Sequence, residues 1–134
     1  MSHNKRIIRY SEYGRLLNKL VKKIKKSKEI KEVNFIYTFM RGGLPIAVHL
    51  SHYLNKPVYS DESKIDFTTV PWKTALIVDD IADTGKTLDG FQMLFPTATL
   101  FYKPRSIIKP TFYVEETEDW IVYPWELLEE EPNR

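Results

Sequence analysis

Thr74-Ala75-Leu76-Ile77-Val78-Asp79-Asp80-Ile81-Ala82-Asp83-Thr84-Gly85-Lys86-Thr87 is the stretch from which the fold can be read. Ala75 to Val78 is an unbroken apolar run, partly β-branched, the pattern of a strand buried on both faces. Two adjacent carboxylates stand at its C-terminal end. A third, Asp83, precedes Thr84-Gly85-Lys86-Thr87, which opens the periodic segment Leu88 to Leu94. That order predicts a strand, an acidic rim, a tight turn and a helix N-terminus. The first helical N–H groups lack intrahelical partners and carry the positive end of the dipole, so they suit an anion. Carboxylates beside them can accept from ribose hydroxyls or coordinate Mg2+ through oxygen. The plainer reading is a buried strand followed by an acid-capped helix. Three acids in five positions ahead of Thr-Gly-Lys-Thr favour a site for a phosphate beside a sugar.

Gly85-Lys86-Thr87 is not the end of a P-loop. That motif needs a glycine five positions before Gly85, and Asp80 stands there, with a charge that would repel a triphosphate.

Composition sets the outer bounds. The 134 residues suit one domain, 1–134, with a real core, and 43% apolar content is that of a globular protein. No cysteine is present, so disulfides and thiolate metal sites are excluded, and a reducing compartment fits. No apolar run approaches the roughly 20 residues that span a bilayer, and the polar N-terminus lacks a signal-peptide core. A cytoplasmic protein without a membrane partner is the expectation. The formal charge of +2 is uninformative, but its distribution is uneven: lysines crowd Lys19 to Lys31, while Glu115 to Glu131 contains no Lys or Arg. The basic run reads as the solvated face of a helix in preference to a nucleic-acid surface. The same asymmetry could bring two subunits together.

From the N-terminus, Tyr13, Leu16, Leu17, Leu20, Val21 and Ile24 form one apolar stripe with lysines opposite, predicting an amphipathic helix over Tyr10 to Ile24 with Ser11 as N-cap. Val33 to Phe39 reads as a strand, followed by Met40-Arg41-Gly42-Gly43-Leu44-Pro45 and helical spacing to Leu54. The paired glycines let the backbone come close to a ligand, and Arg41 offers a forked donor suited to phosphate. His49 and His52 have no evident third ligand and read as partly exposed helix residues. Pro57 ends that helix. Val58 to Tyr59 is a short strand, and Ser60 to Lys73 is polar, with 65–70 able to form one strand of a hairpin. Pro96 stops the helix that Phe91 to Leu94 completes. Ala98 to Tyr102 is the next strand and 110–114 a further one. Taken alone, Lys103 reads as a surface lysine and Trp120 as a core aromatic.

The motifs together resemble the type I phosphoribosyltransferases. In that family an apolar strand ends in two acids and a D-T-G-x-T loop holds the 5′-phosphate of phosphoribosyl pyrophosphate (PRPP); Ile77 to Thr87 matches without a gap. Arg41-Gly42-Gly43-Leu44-Pro45 resembles the pyrophosphate loop of the purine enzymes, which often contains a cis peptide. Leu100-Phe101-Tyr102-Lys103-Pro104, with Trp120-Ile121-Val122-Tyr123-Pro124-Trp125-Glu126, is similar to the bacterial and archaeal xanthine-guanine and hypoxanthine enzymes. The resemblance covers roughly Val33 to Glu126. It implies an α/β fold, a mainly parallel sheet flanked by helices, with a small C-terminal hood that recognises the base. Ser60 to Lys73 corresponds to the family's mobile loop, but is shorter than in the purine enzymes and lacks the usual Ser-Tyr pair.

The activity so implied is transfer of the 5-phosphoribosyl group from PRPP to guanine, xanthine or hypoxanthine, a purine salvage reaction. Asp79 and Asp80 would hold the ribose and Mg2+, and Asp83 would manage the N7 proton as N9 attacks. Asp83, Thr84, Gly85, Lys86 and Thr87 would bind the 5′-phosphate, and Arg41, Gly42 and Gly43 the pyrophosphate. Lys103 would donate to the 6-oxo group, Trp120 would stack on the base, and the Ile121 backbone would read its 2-position edge. Glu126 is an implied ligand of a second Mg2+. PRPP and a purine are the implied partners, and the assembly a homo-oligomer, dimer or tetramer. A regulator of the same fold, binding PRPP or a nucleotide as effector and contacting nucleic acid, is the alternative; the short Ser60 to Lys73 loop and the lysine-rich first helix permit it, and the complete trio Asp79, Asp80 and Asp83, with Lys103 and Trp120 present, argues against it. A third possibility is another acceptor, such as a pyrimidine or a modified purine.

Overall fold

The computed structural model describes residues 4–126, so the expected domain 1–134 extends past both described ends. Its strands are β1 (Lys5–Ile7), β2 (Phe35–Thr38), β3 (Val58–Ser60), β4 (Ala75–Val78), β5 (Ile81–Ala82), β6 (Thr97–Ala98), β7 (Phe101–Tyr102), β8 (Glu115–Glu116) and β9 (Trp120–Val122). The helices are α1 (Tyr10–Lys26), α2 (Leu44–Leu54) and α3 (Lys86–Gln92). The main sheet runs β3-β2-β4-β6, with every pairing parallel. Two smaller parallel sheets, β5-β7-β8 and β1-β9, stand beyond it. Among the described residues no helix is long and apolar enough to cross a membrane.

Side chains of a strand alternate between faces, and the two faces of the main sheet build two cores. Ile36, Leu76 and Val78 join α1 and α2 in the larger one. Tyr37, Ala75 and Ile77 join Leu88 and Phe95 in the smaller. β4 is therefore buried at all four positions, as its uninterrupted apolar run requires. The α1 stripe is buried throughout, from Tyr13 to Ile24. The helix starts at Tyr10 as expected, but the Ser11 cap does not form: the N-cap is Arg9, in extended backbone with no side-chain cap hydrogen bond, because β1 leads almost directly into the helix.

Parallel neighbours need crossovers, and helices usually supply them. Here α2 carries the chain from β2 to β3, but 61–74 returns to β4 with no α-helix. Phe67 fills the helix's place. Its ring lies 4.7 Å from Tyr37, 5.1 Å from Phe91 and 5.4 Å from Phe95, mostly edge to face. The strand expected over 65–70 is absent for a local reason. The Asp66 carboxylate accepts from the Thr68 N–H at 3.0 Å and hydroxyl at 2.6 Å, and the Thr69 N–H donates to the Asp66 carbonyl, closing a turn.

Three boundaries also differ from expectation. The strand read from Ala98 to Tyr102 breaks between β6 and β7, where the Thr99 hydroxyl donates to the Phe101 carbonyl and the chain passes to another sheet. The 110–114 strand reduces to one bridge between Ala98 and Phe112, and pairing resumes at β8. The α3 helix ends at Gln92, where Leu94 and Phe95 both donate to the Phe91 carbonyl.

Candidate functional site

The C-terminal ends of β2 and β4 lie side by side, so the two loops that leave them meet. The Met40–Arg41 peptide is cis. The glycines that follow allow the loop to press on the acidic rim. A β-carbon on Gly42 would lie 2.7 Å from Asp80 Oδ2, and one on Gly43 would lie 2.5 Å from Thr38 Oγ1 and 3.1 Å from Asp79 Cα. Thr38 cannot easily yield, since its hydroxyl donates to the Val78 carbonyl at 2.9 Å. Arg41 is exposed at the rim of this loop.

Asp79 and Asp80 each accept a backbone N–H through Oδ1, from Asp80 at 2.9 Å and Ile81 at 2.8 Å. Burial, and then the neighbouring Asp80 charge, push the Asp79 carboxyl well above the usual carboxylate range. The buried Tyr123 hydroxyl donates to the Asp80 carbonyl at 2.7 Å, bracing the rim from the hood. Burial, followed by the Asp80 charge, raises that phenol well above its ordinary value.

The turn beyond is set by Gly85, whose φ of 85° favours glycine and which also abuts the Ser106 hydroxyl and the Ile107 and Ile108 N–H groups. The Thr84 carbonyl accepts from Ile107 N at 2.8 Å, which fastens the turn to the loop after Lys103. Asp79, Asp80, Asp83, Thr84, Gly85 and Thr87 line a cavity of about 220 Å³. Lys86 is exposed, and its N–H donates to the Thr84 hydroxyl at 3.3 Å.

A second cavity, of about 530 Å³, adjoins the first and shares Asp80, Ile81 and Asp83 with it. Its other walls include Lys103, Trp120, Ile121 and Glu126. The Lys103 N–H donates to the Ala82 carbonyl at 2.8 Å, so the β5–β7 pairing aims its ammonium inward, where it is 16% exposed and 3.8 Å from Asp83 Oδ1. This is not a surface lysine. Nor is Trp120 a core aromatic, being 54% exposed on the cavity wall, while its neighbour Ile121 is buried. The Glu126 carboxylate accepts from the Tyr123 N–H at 3.0 Å.

Arg105 is the site residue that sequence reasoning missed. Its Nε donates to Asp83 Oδ1 at 2.8 Å, and its terminal NH2 group to the same oxygen. The signal was the spacing Lys-Pro-Arg, in which a turn at Pro104 returns the second cation to the side of the first. His49 and His52 are exposed on α2, with His49 Nδ1 bonded to the Tyr13 hydroxyl at 2.6 Å.

Asp79 and Asp80 suit a hard cation: two adjacent carboxylates, one already resisting ionisation in its half-buried place. Among the described residues no three carboxylate or imidazole groups gather as a metal cluster, and Glu126 does not complete one. Mg2+ usually binds through one or two carboxylates and keeps several waters, a donor count that these two residues match.

No family model matches the chain. It is 41% identical over 58 residues to the xanthine-guanine phosphoribosyltransferase of Cereibacter sphaeroides, a match covering 39% of this chain and 34% of that one. The chain thus spans about a third of the length of the curated relatives it matches. Likeness to solved structures is more extensive. The purine phosphoribosyltransferase of Pyrococcus horikoshii superposes with a TM-score of 0.71 at 29% identity, covering 91% of this chain and 93% of that one. The xanthine-guanine-hypoxanthine phosphoribosyltransferase of Helicobacter pylori gives 0.79 at 21% identity, covering 99% and 100%. The strand order, the two loops at the strand ends and these superpositions agree: the chain has the type I phosphoribosyltransferase fold and resembles the purine branch of that family.

Proposed function

We propose that the chain is an enzyme that transfers the 5-phosphoribosyl group of PRPP to a 6-oxopurine: guanine, xanthine or hypoxanthine. The N9 lone pair forms a bond to C1′ as the C1′–oxygen bond to pyrophosphate breaks, and that electron pair leaves with pyrophosphate. The N7 proton passes to Asp83 and on to solvent. The products are a nucleoside 5′-monophosphate and pyrophosphate.

The observation that carries this reading is the junction of the two cavities. A small one is rimmed by carboxylates and a glycine turn, a larger one is walled by Lys103 and an exposed indole, and Asp83 belongs to both. A phosphorylated sugar in the first would present C1′ to a planar base in the second, the proximity that transfer needs. The transition state resembles an oxocarbenium ion, with positive charge at the sugar and growing negative charge on the leaving group. Asp79 and Asp80 hold the ribose hydroxyls. Thr84 to Thr87 grip the 5′-phosphate with hydroxyls and the N–H groups of the α3 start. Arg41 and the backbone at Gly42 and Gly43 hold the pyrophosphate. Mg2+ bound through Asp79, Asp80 and the substrate's own oxygens would neutralise charge on the departing group. Lys103 donates to a 6-oxo group but has no acceptor for a 6-amino group, which disfavours adenine. Trp120 stacks on the base, and the backbone at Ile121 meets its 2-position edge. A homo-oligomer in a reducing cytoplasm completes the reading, the compartment suggested by the lack of cysteine.

The test is a panel of bases assayed with PRPP and Mg2+, following pyrophosphate. Guanine, xanthine or hypoxanthine should release it and adenine should not; release with adenine alone refutes the assignment. Asp83→Asn should lower kcat by about 100-fold or more while PRPP affinity holds. Equal losses in both would remove Asp83 as the proton carrier.

A further inference from the structure

We infer that Arg105 is a positioning residue for base transfer, clamping one oxygen of Asp83 so that the other is left to meet the incoming purine; this rests on the function proposed above. The geometry is asymmetric. Both nitrogens of the guanidinium fork converge on Asp83 Oδ1, and the Lys103 ammonium stands 3.8 Å from that same oxygen. Asp83 Oδ2 takes no hydrogen bond from any described residue. Arg105 is 63% exposed in its side chain, so the pair adds little to stability by itself. Its surroundings, though, are those of the reaction: Asp83, Lys103, Pro104 and Arg105 all line the larger cavity.

A lone carboxylate on a turn can rotate and expose either oxygen to solvent. Cations fixed on one side remove that freedom. They direct its second oxygen before the base arrives, so less reorganisation is needed when the N7 proton moves. The loop that carries Arg105 is tied to the turn that carries Asp83. Ile107 N donates to the Thr84 carbonyl, and Ser106 N donates to the Lys103 carbonyl at 2.9 Å, fixing the span between the two cations. Carboxylate and clamp therefore move as one unit.

The experiment is a double-mutant cycle on kcat and on the KM for base and for PRPP, using Asp83→Asn, Arg105→Gln and the two combined. Arg105→Gln should lower kcat by about tenfold, the scale of one charge-assisted hydrogen bond, and leave the KM for PRPP within about twofold. Arg105→Lys, which keeps the charge and loses the fork, should recover part of the loss. In the Asp83→Asn background the same change should have little further effect, because the clamp then has no anion to hold. Additive losses would show that Arg105 acts elsewhere and overturn the inference. So would an unchanged kcat, or an increased one, which would make the ion pair an obstacle. If the wild-type protein transfers the phosphoribosyl group but the cycle is additive, only the clamp fails. If it transfers to no base and calorimetry detects no binding of guanosine monophosphate, the proposed function fails and the clamp with it.

Discussion

Two glycines of this chain should respond to alanine with opposite signs, and the difference tests the packing of the loop on the acidic rim. At Gly43 a methyl group would stand 2.5 Å from the Thr38 hydroxyl, 3.1 Å from Asp79 Cα and 3.2 Å from the Val78 carbonyl. Two of those three are backbone atoms at the end of a buried strand. The third belongs to a buried threonine whose hydroxyl is already committed to Val78. Relief requires either the loop to lift or Thr38 to rotate and abandon its hydrogen bond. Overpacking costs about 1–3 kcal/mol and the lost bond a further 0.5–1.5 or so, giving roughly 2–4 kcal/mol for Gly43→Ala. Gly14, inside α1, has nothing within 4 Å of the same added atom, and Gly14→Ala should stabilise by roughly 1 kcal/mol through helix propensity. Denaturant titration of both variants reads the signs directly from midpoints at constant slope. Calorimetry with PRPP and Mg2+ should find affinity weakened about tenfold or more in Gly43→Ala, equivalent to about 1.4 kcal/mol, and unchanged in Gly14→Ala. Should Gly43→Ala match the wild-type protein in midpoint and affinity, the loop does not rest on the rim as described.

Three further outcomes follow from named contacts. Phe67→Ala should cost about 2–4 kcal/mol in chemical denaturation, since the ring substitutes for a crossover helix on one sheet face; a loss under about 0.5 kcal/mol would mean 61–74 does not pack there. Asp79 carries a raised pKa, so the folded chain holds a proton that the unfolded chain has already released. Stability from this group is full below the ordinary carboxylate value and is lost as pH rises through the raised one. Without divalent ions, Asp79→Asn should therefore gain stability relative to wild type as pH rises, and identical pH profiles would refute the pairing. Lys103→Ala should relax discrimination against 6-aminopurines in competition assays, and an unchanged preference would remove the ammonium from base recognition.

The legible parts of the molecule were those governed by local patterns. A run of four apolar residues needs a strand covered on both sides, and β4 is one. The stripe of α1 needs a core on one side and solvent on the other, which is what it has. Acids and a glycine turn at a strand end place candidate ligands together whatever the distant packing. Lys103 and Trp120, by contrast, would have been read as a surface lysine and a core aromatic without the family resemblance, because their orientation depends on β5–β7 and β1–β9 pairing across the chain. β1 itself was missed for the same reason: Lys5–Ile7 carries no alternation and is a strand only because β9 lies beside it. The false strand at 65–70 shows the opposite failure. Its composition suits a strand, yet Asp66 offers its own backbone a turn and Phe67 finds a better-filled place among aromatic rings. Arg105 could not be ranked from sequence because its significance lies in converging on the same Asp83 oxygen that Lys103 approaches.

The most direct measurement is a crystal structure of the protein soaked with PRPP and Mg2+, supported by the heat of association in solution. It should show the 5′-phosphate on the Thr84–Thr87 turn, the ribose hydroxyls at Asp79 and Asp80, and C1′ opening toward the cavity walled by Lys103 and Trp120. A sugar phosphate lodged elsewhere, or no heat of binding at millimolar donor, would contradict the account.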